Sequence, residues 1–235
     1  MRAAPSVELH SIIGRTRHLL LDFDGPICAI FAGLPAPSVA ARLRELLNSD
    51  GTPLPDAVAG EDDPIEVLRF TSGLDGDTAA RVEAALRDAE QAATQTATPT
   101  PDAREVILAC HQTNRRVAVI SNNSQAAVQT YLQAHHLAEH IDVIVGRTKP
   151  DPRLLKPHPH LVLRALDALD GDPATSSFVG DSTADVQSAK AAGTHSVGYA
   201  NKAGKIERLQ RAGADVIVTT MAELHAALLA HQPSS

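Results

Sequence analysis

The sequence predicts an α/β protein built on a doubly wound parallel sheet, with a smaller all-helical unit inserted near its start. Short, nearly all-apolar runs of strand length recur at residues 18–23, 116–120, 141–145, 177–179, 195–199 and 215–218. Continuous apolar strands imply burial on both faces, the pattern of a parallel sheet sandwiched by helices. From about residue 99 these runs alternate with helix-period segments at 102–112, 124–136, 159–169, 183–192, 204–212 and 221–230. Such alternation predicts right-handed crossovers and function at the carboxyl ends of the strands.

The exception is the stretch from 28 to 98, which shows no strand pattern but helical segments at 38–47, 64–72 and 77–94, separated by Pro and Gly clusters. It reads as a second domain (28–98) hinged on a core formed by 1–27 and 99–235, with Thr-Ala-Thr-Pro-Thr-Pro at 96–101 as the return linker. No internal repeat or long low-complexity tract interrupts this plan.

Composition narrows the function classes. With 43% hydrophobic and 21% charged residues in 235, the chain suits one large or two modest folded domains, not disorder. Lys plus Arg number 21 against 28 Asp plus Glu, a formal charge of −7, so there is no basic surplus for a nucleic-acid partner. Cys28 and Cys110 form neither a disulfide framework nor a zinc-type pair, which suits a reducing compartment. No run approaches the ~20 apolar residues of a membrane span. Residues 1–17 lack the apolar middle and cleavage site of an export signal, so the expectation is a soluble, cytoplasmic protein. Aromatic residues make up only 3%, which leaves Ala, Leu, Val and Ile to build the core.

Four constellations fall at predicted strand ends. The first strand closes in Leu-Leu-Leu-Asp-Phe-Asp-Gly, placing Asp22 and Asp24 at the ligand crevice. Burying two carboxylates there is costly unless a cation compensates them, so a metal is the economical answer. One side chain and a neighbouring carbonyl reach the ion while the other carboxylate stays free for proton transfer, and Gly25 allows a sharp turn. The second, Ser121-Asn122-Asn123-Ser124, offers a hydroxyl and backbone N–H groups at a strand-to-helix turn that Ser124 would cap, a cradle for an anion. In the third, Lys156-Pro157-His158-Pro159, prolines hold a lysine near a helix start, where a fixed ammonium offsets crowded negative charge; Lys149 competes for this place. The fourth, Gly180-Asp181-Ser182-Thr183-Ala184-Asp185, spaces two carboxylates i, i+4 into a helix. Asp181 is placed to bind a metal directly and Asp185 through water or by orienting another ligand.

These four, in this order, resemble the haloacid dehalogenase-like superfamily and specifically its metal-dependent phosphatase branch, with the match running nearly end to end through the core. Lys156 stands 25 residues before Asp181 and leads straight into a helix, which fits the family arrangement better than Lys149 at 32. The resemblance implies a Rossmann-like core, a helical cap at 28–98, Mg²⁺ as cofactor and a small-molecule phosphate ester as substrate. It implies Asp22 as a nucleophile forming an aspartyl-phosphate, and Asp24 as acid for the leaving group and then base for water. Asp22, the carbonyl of Asp24, Asp181 and Asp185 would serve the metal, while Ser121, N–H groups around Asn122, and Lys156 would hold the phosphoryl oxygens. Arg69, near a cap-helix end, would reach the leaving group. One departure is Pro26, where the family more often has Thr or Val, so an N–H and a hydroxyl contact to the aspartates are missing.

The remaining polar features read as ordinary. His135, His136 and His140 lack an obvious third ligand and read as surface residues, His158 and His160 as loop residues near Lys156, and Cys28 as packing at the hinge. The main reading is hydrolysis of a phosphate monoester. Its rivals are a phosphomutase of the same superfamily and a non-catalytic module for phosphorylated ligands. The dehalogenase branch needs no metal and lacks the second Asp, so Asp24 and the acidic fourth constellation speak against it. Neither a monomer nor a homodimer is singled out.

Overall fold

The computed structural model describes residues 5–149 and 151–231. Along the chain, α1 (Val7–Arg15) leads into β1 (His18–Asp22). A short strand β2 (Cys28–Ala29) then precedes the helices α2 (Ala36–Ser49), α3 (Asp56–Ala59), α4 (Pro64–Phe70) and α5 (Gly76–Ala93). The short strand β3 (Thr98–Pro99) leads back to α6 (Ala103–Gln112), β4 (Arg116–Ser124), α7 (Gln125–Ala134) and β5 (Val143–Arg147). The chain finishes with α8 (His160–Leu169), β6 (Ser176–Gly180), α9 (Thr183–Ala191), β7 (His195–Tyr199), α10 (Lys205–Ala212), β8 (Val216–Val218) and α11 (Met221–Ala230).

The apolar runs assemble into a six-stranded sheet in the order β5-β4-β1-β6-β7-β8, every neighbouring pair parallel. β1 lies inside it, with Leu20 in register with Ala118 on one side and Phe178 on the other. Leu19 and Leu21 pack with residues of α1, α6, α7 and α11 on one face, and Leu20 with residues of α8 and α9 on the other. All three leucines are fully buried, each contributing about 2 kcal/mol by leaving water. After β1 the chain builds outward through β4 and β5, then returns to the other side of β1 through β6. That reversal opens a crevice at the carboxyl end of β1.

The helices between β2 and β3 are held together by apolar stripes: Val39, Ala40, Leu43 and Leu47 of α2, Val67 and Leu68 of α4, and Val82 and Leu86 of α5 share one cluster. Asp63 and Asp75 accept from the Ile65 and Thr78 N–H groups and so fix where α4 and α5 begin. The segment read as strandless does contain β2, which pairs antiparallel with β3 through Cys28–Pro99 and Ala29–Thr98. Two residues per strand leave no periodicity to read, and β3 lies within the presumed linker. The amphipathic helix α1 was also not foreseen. It buries Leu9, Ile12 and Ile13 and begins at Ser6, whose side chain accepts from Leu9 N–H.

One buried arginine ties this layer together. Arg115 is 3% exposed, and its guanidinium donates to the carbonyls of Ile13 (3.0 Å), Thr16 (3.0 Å), Leu228 (3.3 Å) and His231 (2.7 Å) and to the Thr113 hydroxyl (2.6 Å). Most of these are the orphan carbonyls at the ends of α1 and α11, where a cation is also favoured by the helix dipoles. Arg115→Met is expected to lower the unfolding free energy by about 3 kcal/mol, since it strands several buried acceptors. Urea unfolding measures this, and an unchanged midpoint would show that the carbonyls find other donors.

Candidate active site

The sheet places the four constellations around one crevice. Asp22 is the last residue of β1 and Asp24 follows it, after which Gly25 takes φ +107° and its N–H donates to the Cys28 carbonyl at 2.7 Å. A side chain at Gly25 would collide with the Asp181 carboxylate, 2.5 Å from its Cγ, so two strand ends meet over a position that only glycine fills. Asp24 Oδ1 accepts from the Ile30 N–H at 3.1 Å. Pro26 gives this turn no N–H, but the Thr100 hydroxyl from the return strand donates to the Gly25 carbonyl at 2.6 Å. The turn is thus braced by the residue that follows β3.

β4 runs on to Ser124 rather than stopping at residue 120, and Ser124 does cap α7, accepting from Ala127 N–H. Asn122 turns its side chain to the lysine loop: its Oδ1 accepts from Lys156 N–H at 2.9 Å and its Nδ2 donates to the Lys156 carbonyl at 3.3 Å. At the end of β6 the cap of α9 is Ser182, not Asp181. Ser182 and Asp185 form a reciprocal capping box.

The charges converge. Lys156 Nζ lies 2.7 Å from Asp22 Oδ1 and 2.6 Å from Asp185 Oδ1, with all three side chains buried. Carboxylate oxygens of Asp22, Asp181 and Asp185 lie within 4.8 Å of one another, and they are the one group of metal-ligating side chains so spaced among the described residues. Lys205, from α10, pairs with Asp181.

Burial, then the neighbouring Asp185 carboxylate, pushes Asp22 well above the usual carboxylate range against the pull of Lys156. Burial also raises Asp24, to about 6, and raises Asp181 despite Lys205. Asp185 is the exception. Burial pushes it up, but Lys156 and the Ser182 donors outweigh that and hold it below its ordinary value. For Lys156, burial opposes the ammonium while Asp185 and Asp22 more than restore it, so its pKa is raised. Four carboxylates thus face two ammonium groups; burial is the main reason that Asp22, Asp24 and Asp181 are raised, and neighbouring carboxylates add to it. A divalent cation with a preference for oxygen ligands fits that donor set and that excess.

A cavity of about 530 Å³ opens onto this cluster, lined on the sheet side by Asp22, Asp24, Ser121, Asn122, Lys156 and Asp181, and opposite by Phe31, Ala36 and the 61–65 stretch before and within α4. Arg69, expected at a leaving group, is instead tied to the loops. Its guanidinium donates to the Pro152 carbonyl at 3.2 Å, to the Lys156 carbonyl and to Glu66. A guanidinium so occupied braces α4 against the lysine loop and does not line the cavity. Lys149 is exposed and also off the cavity. His135 stacks on Tyr131 at 4.0 Å and His140 meets His111 edge-on at 5.5 Å, while His158 accepts from the His160 N–H at 3.1 Å. Burial, reinforced by Asp24, pushes the Cys28 thiol up, away from thiolate chemistry. Lys205 and Thr100 escaped sequence reasoning because nothing in their local pattern separates them from surface residues.

A family model described as haloacid dehalogenase-like hydrolase matches residues 62–199, more than half of the chain, taking in Ser121, Lys156, Asp181 and Asp185 but not Asp22 or Asp24. The chain is 30% identical over 128 residues to a phosphoglycolate phosphatase of Salmonella paratyphi A, a match covering 54% of this chain and 50% of that protein. It thus spans about half the length of the curated relatives it matches. Among solved structures, a predicted phosphatase from Clostridium acetobutylicum superimposes with a TM-score of 0.68 at 19% identity, over 92% of this chain and 99% of that one. A beta-phosphoglucomutase candidate from Bacteroides vulgatus gives 0.66 at 16%, over 97% and 99%. At these identities the structural likeness establishes the α/β fold.

The close approach of strand ends sets a testable constraint. A methyl at Gly180 would lie 2.3 Å from Asp185 Cβ, so Gly180→Ala must displace Asp185 and with it the ammonium it holds. The expected cost is about 1–3 kcal/mol of stability, read from chemical denaturation; a wild-type midpoint would contradict the packing described.

Proposed function

The chain belongs to the haloacid dehalogenase-like hydrolase family, and on that premise we propose that it hydrolyses a small-molecule phosphate monoester through an aspartyl-phosphate at Asp22. The observation that carries this reading is the meeting of Asp22, Asp24, Lys156 and Asp181 on one cavity wall, with Asp185 behind them. In the first step an Asp22 carboxylate oxygen attacks phosphorus in line with the ester oxygen. The P–O ester bond breaks as Asp24 delivers its proton to the leaving oxygen. In the second step Asp24, now ionised, takes a proton from water whose oxygen attacks the same phosphorus, releasing inorganic phosphate and freeing Asp22. A carboxyl poised at about 6 by burial suits that alternation of acid and base near neutral pH.

Ser121, the backbone N–H groups beside Asn122, and Lys156 would hold the phosphoryl oxygens, placing phosphorus against Asp22. Asp22, the Asp24 carbonyl, Asp181 and Asp185 would hold Mg²⁺, which neutralises oxygens that otherwise repel the nucleophile. The segment 28–98 acts as the cap. It supplies the cavity wall opposite the aspartates, and the β2–β3 pair supports its role as a unit jointed at one place. The substrate is a small phosphate ester entering beneath that wall. No helix is long and apolar enough to cross a membrane among the described residues, and with both cysteines unpaired we assign the enzyme to the cytoplasm.

Turnover of p-nitrophenyl phosphate with Mg²⁺ tests the reading. It should vanish in EDTA and return with added Mg²⁺. Asp22→Asn should lower kcat on the order of 10⁴-fold or more, and Asp24→Asn by about 10²–10⁴-fold. A requirement for a sugar bisphosphate activator would identify a phosphomutase. Absence of turnover on every phosphate ester tried would leave a binding module.

A further inference from the structure

Glu90 lies on α5 with 0% exposure, yet both carboxylate oxygens are fully engaged. Oε1 accepts from Asn123 Nδ2 at 3.1 Å and Arg147 Nη1 at 3.0 Å; Oε2 accepts from Ser124 N–H at 2.8 Å and Arg147 Nη2 at 2.9 Å. Arg147, the last residue of β5, also donates to the Asn122 carbonyl at 2.6 Å and to Glu83 at 3.3 Å. These bonds converge on residues 121–124, the turn assigned above to the phosphoryl oxygens. Glu83 touches Arg147 and Arg87 but not the turn.

Attachment of α5 to the sheet does not by itself account for a buried ion pair, because apolar side chains of similar volume would serve as well or better. What they could not do is orient polar groups. With its Nδ2 committed to Glu90, Asn123 must present Oδ1 to Ser121, whose hydroxyl donates to it at 3.0 Å while accepting from the Asn123 N–H at 3.0 Å. The Asn122 carbonyl is held by Arg147, and the Asn122 side chain in turn holds the Lys156 backbone.

We propose that Glu90 and Arg147 are positioning residues through which the helical segment sets the phosphate-binding turn, so that the turn is correctly formed only when α5 is seated against the sheet. This rests on the hydrolase reading for its effect on turnover, but the coupling itself is a property of the turn. Withdrawal of α5 would remove the acceptor for Asn123 and Ser124 and leave Ser121 free to reorient.

The test compares Glu90→Gln with Glu83→Gln. Both weaken the pairing of Arg147, but only the first puts an amide donor against the turn's own donors. Each folded variant is assayed for inhibition by inorganic phosphate, for kcat and KM on p-nitrophenyl phosphate, and for hydrogen exchange of the peptide spanning 121–124. Glu90→Gln should weaken phosphate inhibition and lower kcat/KM by about 10–100-fold and accelerate exchange there, with Glu83→Gln within about threefold of wild type on all three. Equal effects in the two variants, or wild-type phosphate inhibition and exchange in folded Glu90→Gln, would overturn the proposal. Should Glu90→Gln fail to fold, Arg147→Lys, which keeps the charge but loses both the fork onto Glu90 and the bond to the Asn122 carbonyl, carries the same expectations and the same refutation. Lack of turnover by the wild-type protein would sink the hydrolase reading alone, because exchange at 121–124 still decides the positioning.

Discussion

The Lys156 ammonium, enclosed between Asp22 and Asp185, is the interaction on which the site depends. An isolated carboxylate at the end of β1 would not persist ionised in that setting, and its raised pKa reflects the cost. A cation fixed at 2.6–2.7 Å relieves part of that cost and in doing so joins the end of β1, the loop before α8 and the first turn of α9. The supporting details serve the same end. Asn122 holds the lysine backbone, Arg69 braces its loop from α4, and the Ser182 capping box fixes Asp185 so that it meets the ammonium rather than solvent.

The cluster is nonetheless undercharged on the positive side, which gives the proposed chemistry its logic. Lys156 and Lys205 leave carboxylates uncompensated, and Asp24, which accepts the Ile30 N–H, is raised by burial. A site of this kind favours a divalent cation and a proton carrier side by side, the two requirements of a two-step phosphoryl transfer. The turn at Pro26 is braced by the Thr100 hydroxyl on the Gly25 carbonyl, next to the β2–β3 pair.

The helical segment touches the site at several points. It supplies the far wall of the cavity, and through Arg69 and Glu90 it reaches both the lysine loop and the turn after β4. Both contacts are polar and directional, so under the proposed coupling the seating of the segment and the shape of the turn would change together.

By itself the sequence determined the sheet and the order of its helices, because continuous apolar runs and 3.6-residue stripes state which faces must be buried. It also marked Asp22, Asp24 and Asp181, which stand where apolar periodicity stops, and the crevice lies there in any doubly wound sheet; Ser121 stands at the same kind of stop although β4 runs on to Ser124. The two-residue strands β2 and β3 were illegible because they are too short to carry a period, and α1 was passed over although its amphipathic pattern was there to be read. Only the tertiary structure decided which charges meet. Arg69 looked like a free guanidinium until the carbonyls of Pro152 and Lys156 were found beneath it. Glu83 and Glu90, seven residues apart on the buried stripe of Val82, Leu86 and Ala93, were a visible anomaly with no visible partner. Pairing between distant side chains is set by how helices dock on the sheet, and no local pattern encodes that distance.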